Sequence, residues 1–165
     1  SVRDLAAHLG LTGVRVIAPS RPEMFAEDPD GVLHRAQTDP CCALRKIRPL
    51  ARALDGFDGW VSGRKRFQGG ARGTLSLFED DATSGRVKLN PLCDWSASAI
   101  AAYLDRHALP RHPLVARGYP SIGCAPCTGP VAPGEDPRAG RWRGQDKTEC
   151  GIHIVDGRVI RRRAG

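Results

Sequence analysis

Residues 1–18, SVRDLAAHLGLTGVRVIA, decide the fold class, because apolar residues at helical spacing run straight into a β-branched stretch. Val2, Leu5, Ala6 and Leu9 lie on one helical face, Gly10 is placed to end that helix, and Val14 to Ile17 suit a short buried strand. A helix feeding a buried strand is an α/β unit met in mid-fold. Three further strand candidates follow in GWVSG (59–63), TLSLFED (74–80) and RVKLNPLC (86–93), divided by Gly-rich or Asp/Ser/Gly segments. Ser96 is a good cap for a helix running to about His107, with Ile100, Ala101 and Leu104 facing inward. Between them, Pro19 to Gly31 reads as a loop with room for a short helix, and Pro110 to Gly144 is too rich in proline and glycine for long regular elements.

A further helix starts where Asp39 can cap and Pro40 can take the first position. Cys41 and Cys42 then fall in its first turn, where the helix dipole favours thiolate, and Lys46 lies one turn after Cys42. Leu44, Ile47, Leu50, Ala51 and Leu54 supply the apolar side, while Pro49 should kink or restart the helix. The reactive end and the core-facing part therefore share one short segment.

The 165 residues suit one domain, 1–165, in which the segment 138–165 is a loop and C-terminal stretch. A chain of this length buries enough surface to form a core without disulfides. No segment approaches the apolar length of a membrane span, and SVRDLAAHLG lacks the basic-then-apolar order of a signal peptide. The expected compartment is cytoplasmic, where six cysteines read as ligands or reactive thiols more readily than as bridges. The net charge of +7 and isoelectric point near 9.5 favour anionic partners. The basic residues gather at Arg64, Lys65 and Arg66, at Arg138, Arg141 and Arg143, and at Arg161 to Arg163, with few aromatics between them. That argues against a single-strand nucleic-acid surface, and each cluster alone reads as readily as a solvated face. A homo-oligomer is allowed by the sequence.

The cysteines divide into a set of four and two others. Cys41 and Cys42 are adjacent, and Cys124 and Cys127 form a CxxC in the Pro/Gly-rich loop. Such a set can be a redox dithiol with a spare pair, a structural zinc site or an iron–sulfur site. Adjacent helical cysteines point about 100° apart and fit one tetrahedral ion poorly, whereas a cubane cluster offers each thiolate its own iron corner. Cys150 sits in the polar segment KTECGIH, where Lys147 and His153 could lower its pKa and make it a nucleophile, although an inert exposed thiol has the same appearance. Cys93, between Leu92 and Asp94, reads as an ordinary buried thiol.

Together CCALRK, SGRKRFQGG, VKLNPL, HPLVARGYPSIGCAPCT, EDPRAGRWRG and KTECGIH resemble the iron–sulfur branch of the assimilatory adenylyl-sulfate and phosphoadenylyl-sulfate reductases, over about Asp39 to His153. The resemblance implies a [4Fe-4S] cluster on Cys41, Cys42, Cys124 and Cys127, with Lys46 between cluster and substrate. It implies Cys150 as the nucleophile that takes the sulfo group of adenosine 5'-phosphosulfate, releases AMP and is cleared by thioredoxin with loss of sulfite. Arg138 and Arg141 match the family's arginine pair before the nucleophile, and Lys46, Arg64, Arg138, Arg141 and His153 are of the type needed to neutralise phosphosulfate oxygens.

The implied fold is a parallel-sheet ATP-pyrophosphatase-like (adenine nucleotide alpha hydrolase-like) α/β fold, of which this chain would be a C-terminal portion with a flexible tail. The family's phosphate-binding loop and threonine–glycine segment would precede Ser1, so the chain alone is expected to bind nucleotide weakly. A 3'-phosphorylated substrate is the alternative activity. A noncatalytic zinc or cluster module, or a nucleic-acid-binding fragment, has no use for the thiol of Cys150. The tail also carries a candidate hairpin at Asp156 and Gly157.

Overall fold

A computed structural model of the chain describes residues 2–81 and 84–153. It is a mixed α/β arrangement whose small sheet contains one parallel pair. Helix α1 (Val2–His8) ends as its sequence predicts, with Gly10 at φ 62°. The Gly10 N–H reaches Ala7 O and the Leu11 N–H reaches Ala6 O, which satisfies two orphaned carbonyls of the last turn. The strand expected over Val14 to Ile17 does not form. Those residues run outside any regular element, with Val16 78% exposed, because a strand needs a hydrogen-bonding neighbour and none of the described residues supplies one. In the expected loop, Ser20 caps a short helix α2 (Arg21–Glu27) by accepting from the Glu23 N–H.

Helices α3 (Leu33–Ala36) and α4 (Thr38–Cys42) lead into a widened π-type turn, Ala43–Ile47, and then α5 (Arg48–Ala53). The widening has a cause in the sequence. Pro49 has no N–H to offer the carbonyl one turn back, and the Arg48 N–H reaches five residues back to Ala43 O. Helix α4 begins earlier than predicted, with Gln37 at its cap, so Asp39 is not the capping residue. Its carboxylate is instead in an ion pair with Lys147, from the far end of the chain.

The three predicted strands form as β1 (Gly59–Val61), β2 (Phe78–Asp81) and β3 (Arg86–Leu89), in the order β1-β3-β2. β1 runs parallel to β3 with Trp60 opposite Lys88, and β2 runs antiparallel to it with Glu79 opposite Lys88. Gly59 is required at this contact, since a β carbon there would stand 2.7 Å from Val87 O. The sheet ends in a buried polar network. Ser62 Oγ donates to Asn90 Oδ1 at 2.6 Å, Arg64 Nε donates to Ser62 Oγ at 3.1 Å, and Arg64 also pairs with Glu79. Helix α6 (Ala97–Arg106) is capped by Ser96, which accepts from the Ala99 N–H at 3.0 Å, and Ile100, Ala101 and Leu104 form its half-buried face. No helix of the described residues is long and apolar enough to cross a membrane.

Candidate functional site

The Cys41–Cys42 segment and the CxxC loop, more than eighty residues apart in sequence, close on one cavity of about 320 Å³. Cys41, Cys42, Cys124 and Cys127 all line it, together with the half-buried Lys46, and of the four thiols all but the half-buried Cys124 are buried. The CxxC is a single tight turn in which the Cys127 N–H bonds Cys124 O at 3.0 Å. Thr128 Oγ1 ties the turn by donating to Cys124 O at 2.8 Å and accepting from the Gly123 N–H. A second strand-like contact docks this loop on the arginine loop, with Gly129 N–H to Gly140 O and Trp142 N–H to Cys127 O. Gly140 leaves the space for it, since a β carbon would lie 2.1 Å from Gly129 O. Trp142 is buried at the centre of the thiols, packed with Cys42, Cys127 and Cys150.

Among the described residues, no three His, Cys, Asp or Glu side chains converge as ligands of a single metal ion. Four thiols lining one cavity are soft donors of the kind that hold zinc or an iron–sulfur group. Cations surround the thiols. Arg45 Nη1 donates to Cys41 Sγ at 3.7 Å while its other nitrogen holds Asp28 at 2.5 Å, and Lys147 Nζ donates to Cys42 Sγ at 3.6 Å.

Cys150 is buried against this centre and opens onto a second cavity of about 440 Å³, lined also by Lys46, Arg72, Arg138, Arg141 and Glu149. Its pKa is pulled down, first by a hydrogen bond from the Cys42 thiol and then by the Ile152 N–H and Lys46, against the opposing effect of burial. The Cys42 thiol, which gives that hydrogen bond and is itself buried, is raised. Burial pushes Lys46 down, but the Cys150 thiolate and the neighbouring cysteines outweigh it and hold Lys46 up at about 12. Cation and thiolate therefore stabilise one another, as an attacking sulfur requires.

Of the predicted residues, the structure brings together Cys41, Cys42, Cys124, Cys127, Lys46, Arg138, Arg141 and Cys150. Arg141 lies over the Trp142 ring at 4.4 Å, and its guanidinium fills the space a side chain at Gly123 would take. Burial lowers the pKa of both Arg138 and Arg141. Arg64 is not among them. It is buried beside Ser62, Asn90 and Glu79, where it braces the sheet and faces no cavity that holds Cys150. Its place in the cavity is taken by Arg72, which the sequence reading passed over and whose Nη1 donates to Gln68 Oε1 at 2.5 Å. Lys147 does not serve Cys150 as predicted, because Asp39 and Cys42 hold its ammonium. The His153 side chain and residues 154–165, including the Asp156–Gly157 hairpin candidate, lie outside the described residues. Cys93 is buried as expected, 2% exposed beside Asp94.

A family model for the phosphoadenosine phosphosulfate reductase domain matches residues 1–130. The adenosine 5'-phosphosulfate reductase of Mesorhizobium japonicum is 52% identical over 150 residues, covering 91% of this chain and 58% of that protein. That of Chelativorans sp. is 47% identical over 151 residues, covering 92% and 61%. The crystal structure of phosphoadenylyl-sulfate reductase from Candida auris in complex with phosphate superposes with a TM-score of 0.56 at 29% identity, covering 74% of this chain and 60% of that one. The chain thus spans about three-fifths of the length of the proteins it matches.

Proposed function

Because the chain belongs to the phosphoadenosine phosphosulfate reductase domain family, we propose that it carries the reductive half of an adenosine 5'-phosphosulfate reductase, with Cys150 as nucleophile. The observation that supports this reading is the single cavity in which a buried Cys150 faces Lys46, Arg138 and Arg141. Attack of a thiolate on a phosphosulfate joins two anions, and fixed cations are what lower that barrier. The Cys150 thiolate attacks the sulfo sulfur, the sulfur–oxygen bond to the phosphate breaks, and AMP leaves with the electron pair. Cys150 is left as the S-sulfocysteine. A thiolate of thioredoxin then attacks Cys150 Sγ, sulfite departs with the electrons of the sulfur–sulfur bond, and the second thioredoxin thiol restores Cys150 while oxidising thioredoxin to its disulfide.

Cys41, Cys42, Cys124 and Cys127 would hold a [4Fe-4S] cluster, whose contribution when bound is to shape the field beside Lys46 and Cys150. Ligation would take the proton of Cys42, leaving the Ile152 N–H and Lys46 as the groups that favour the Cys150 thiolate. Lys46, in the widened turn that follows the cysteine pair, reaches both the ligand thiols and the nucleophile.

The test is sulfite release by the full-length protein with thioredoxin, and mass analysis after incubation with substrate alone. A sulfonate adduct on Cys150 is expected, and an adduct on Cys93 would overturn the assignment. Running the 3'-phosphorylated substrate in parallel decides the alternative activity, which the Candida auris neighbour's name favours. Iron and sulfide analysis after anaerobic purification is expected to give about four irons per chain. Zinc in their place would remove the cluster from the reading.

A further inference from the structure

The arginines that face this cavity already hold a carboxylate. Glu149 is 5% exposed and is gripped by the fork of Arg72, with Nε to Oε1 at 2.5 Å and Nη2 to Oε2 at 2.8 Å. Arg138 Nη2 donates to the same Oε1 at 3.1 Å and to Thr148 O at 2.7 Å. A fork on one side and a bridge on the other is how arginines grip a bound oxyanion. Here the oxyanion is part of the chain, one residue before the nucleophile.

We propose that Glu149 is an internal counter-anion for Arg72 and Arg138, which competes with the anionic group of the substrate for their guanidiniums while holding Cys150 in place. Without it, Lys46, Arg72, Arg138 and Arg141 would share the cavity wall with the Cys150 thiolate and no carboxylate lining that cavity. Unpaired cations in such a half-buried place are costly, and they would bind any passing anion tightly. With Glu149 present the guanidiniums are oriented and satisfied, and an arriving oxyanion gains only the difference between its own contacts and those it displaces.

The same contact fixes the nucleophile. On the other side of Cys150, Gly151 is packed so closely on Ile47 that a β carbon would meet its Cδ1 at 2.5 Å. Two residues before Glu149, Lys147 is held by Asp39. Cys150 is thus located between Glu149 on the arginine wall and Gly151 on the turn that carries Lys46. Glu149 is a positioning residue, since it acts through the arginines and the backbone.

The inference rests on the reading of Cys150 as nucleophile, and the experiment separates the two. Inorganic phosphate is titrated calorimetrically into the full-length protein, wild type and Glu149→Gln. Loss of one negative charge from the fork is expected to tighten phosphate about tenfold. In turnover, both KM and kcat are expected to fall, because the anion binds better and Cys150 is held less well. A brace with no electrostatic role would leave phosphate affinity unchanged or weaken it, and either result overturns the proposal. Glu149→Asp withdraws the charge from the fork and should tighten phosphate by a smaller factor, which decides the matter should the Gln variant not fold. Cys150→Ser is assayed beside them. Activity in that variant would sink the nucleophile assignment while the phosphate titration still judges Glu149.

Discussion

The cysteine centre and the N-terminal stretch are built on opposite principles. In the first, Cys41, Cys42, Leu44, Cys127, Trp142 and Cys150 are all buried, and charged residues as deep as Lys147 and Glu149 are paired. In the second, helix α1 buries nothing, and Val2, Leu5, Leu9, Val14, Val16 and Ile17 are all exposed. Hydrophobicity thus does not mark the packed part of this chain. What packs it is sulfur, one tryptophan and a web of arginine and lysine contacts, because those join segments far apart in sequence. Leu5 and Leu9 face Tyr103, Leu104 and Leu109 across a cavity and stay exposed.

The largest effect should come from the thiols themselves. Cys42→Ser or Cys127→Ser is expected to abolish iron binding and visible absorption, and to loosen the loops that the centre ties together. Cys150→Ser should keep the colour and lose sulfite formation entirely. Iron content and sulfite release, measured on the same preparations, separate ligand from nucleophile. Bleaching on loss of Cys150 would merge the two roles and end that distinction.

Next come single packing changes across the contrast. Leu44, fully buried below the cysteine pair, should cost roughly 3 to 4 kcal/mol on truncation to alanine. Val16→Ala, at 78% exposure, should change stability by less than about 0.5 kcal/mol. Arg64→Met takes the ion pair from Glu79, which is partly exposed and keeps the Asn90 Nδ2 hydrogen bond, and should cost roughly 2 kcal/mol. Arg66, whose pair with Asp94 is exposed on both sides, should cost under about 1 kcal/mol on change to alanine. Urea denaturation of the four variants ranks them. Equal losses at Leu44 and Val16 would show that the N-terminal stretch is packed after all, and a changed phosphate affinity in Arg64→Met would return Arg64 to the site.

Local signals in the sequence were legible because they act within a turn or two. Gly10, Ser96 and Pro49 each end, cap or distort a helix through neighbours a few residues away, and the three strands carry their own turn residues. The cysteine centre was legible for a chemical reason, since few arrangements use an adjacent pair with a CxxC. The misreadings share a cause, which is a partner far along the chain. Val14 to Ile17 has strand composition, but pairing is a property of two segments. Asp39 looks like a cap until Lys147, 108 residues on, claims it. Arg64 and Arg72 are indistinguishable as charges, and only the way the chain turns after β1 sends one to Glu79 and the other to Glu149, 77 residues away. The pairing of Glu149 with two arginines has no signature in KTECGIH.

The smallest effect belongs to the surface counterpart of Glu149. Glu135 also accepts a fork, from Arg143 Nη1 to Oε1 and Nη2 to Oε2, each at 3.1 Å, and the Ala132 N–H bonds Oε2 at 2.6 Å. These contacts, Arg143 first, hold its carboxyl down at about 2, below the ordinary 4.5. A carboxyl lowered on folding contributes stability above its unfolded value, and that contribution is lost as pH falls through about 2. Because the pair is exposed, water and salt screen most of it. Arg143→Gln should therefore let Glu135 titrate closer to 4.5, still below it because the Ala132 N–H remains, with no measurable change in unfolding midpoint at neutral pH. Carbon-13 titration of the carboxyl reads the shift. A carboxyl that still titrates near 2 would assign the lowering to the turn backbone. Phosphate affinity should not move either, since Glu135 and Arg143 border neither thiol cavity. The same fork then has opposite consequences in the two places, negligible in solvent and decisive beside Cys150.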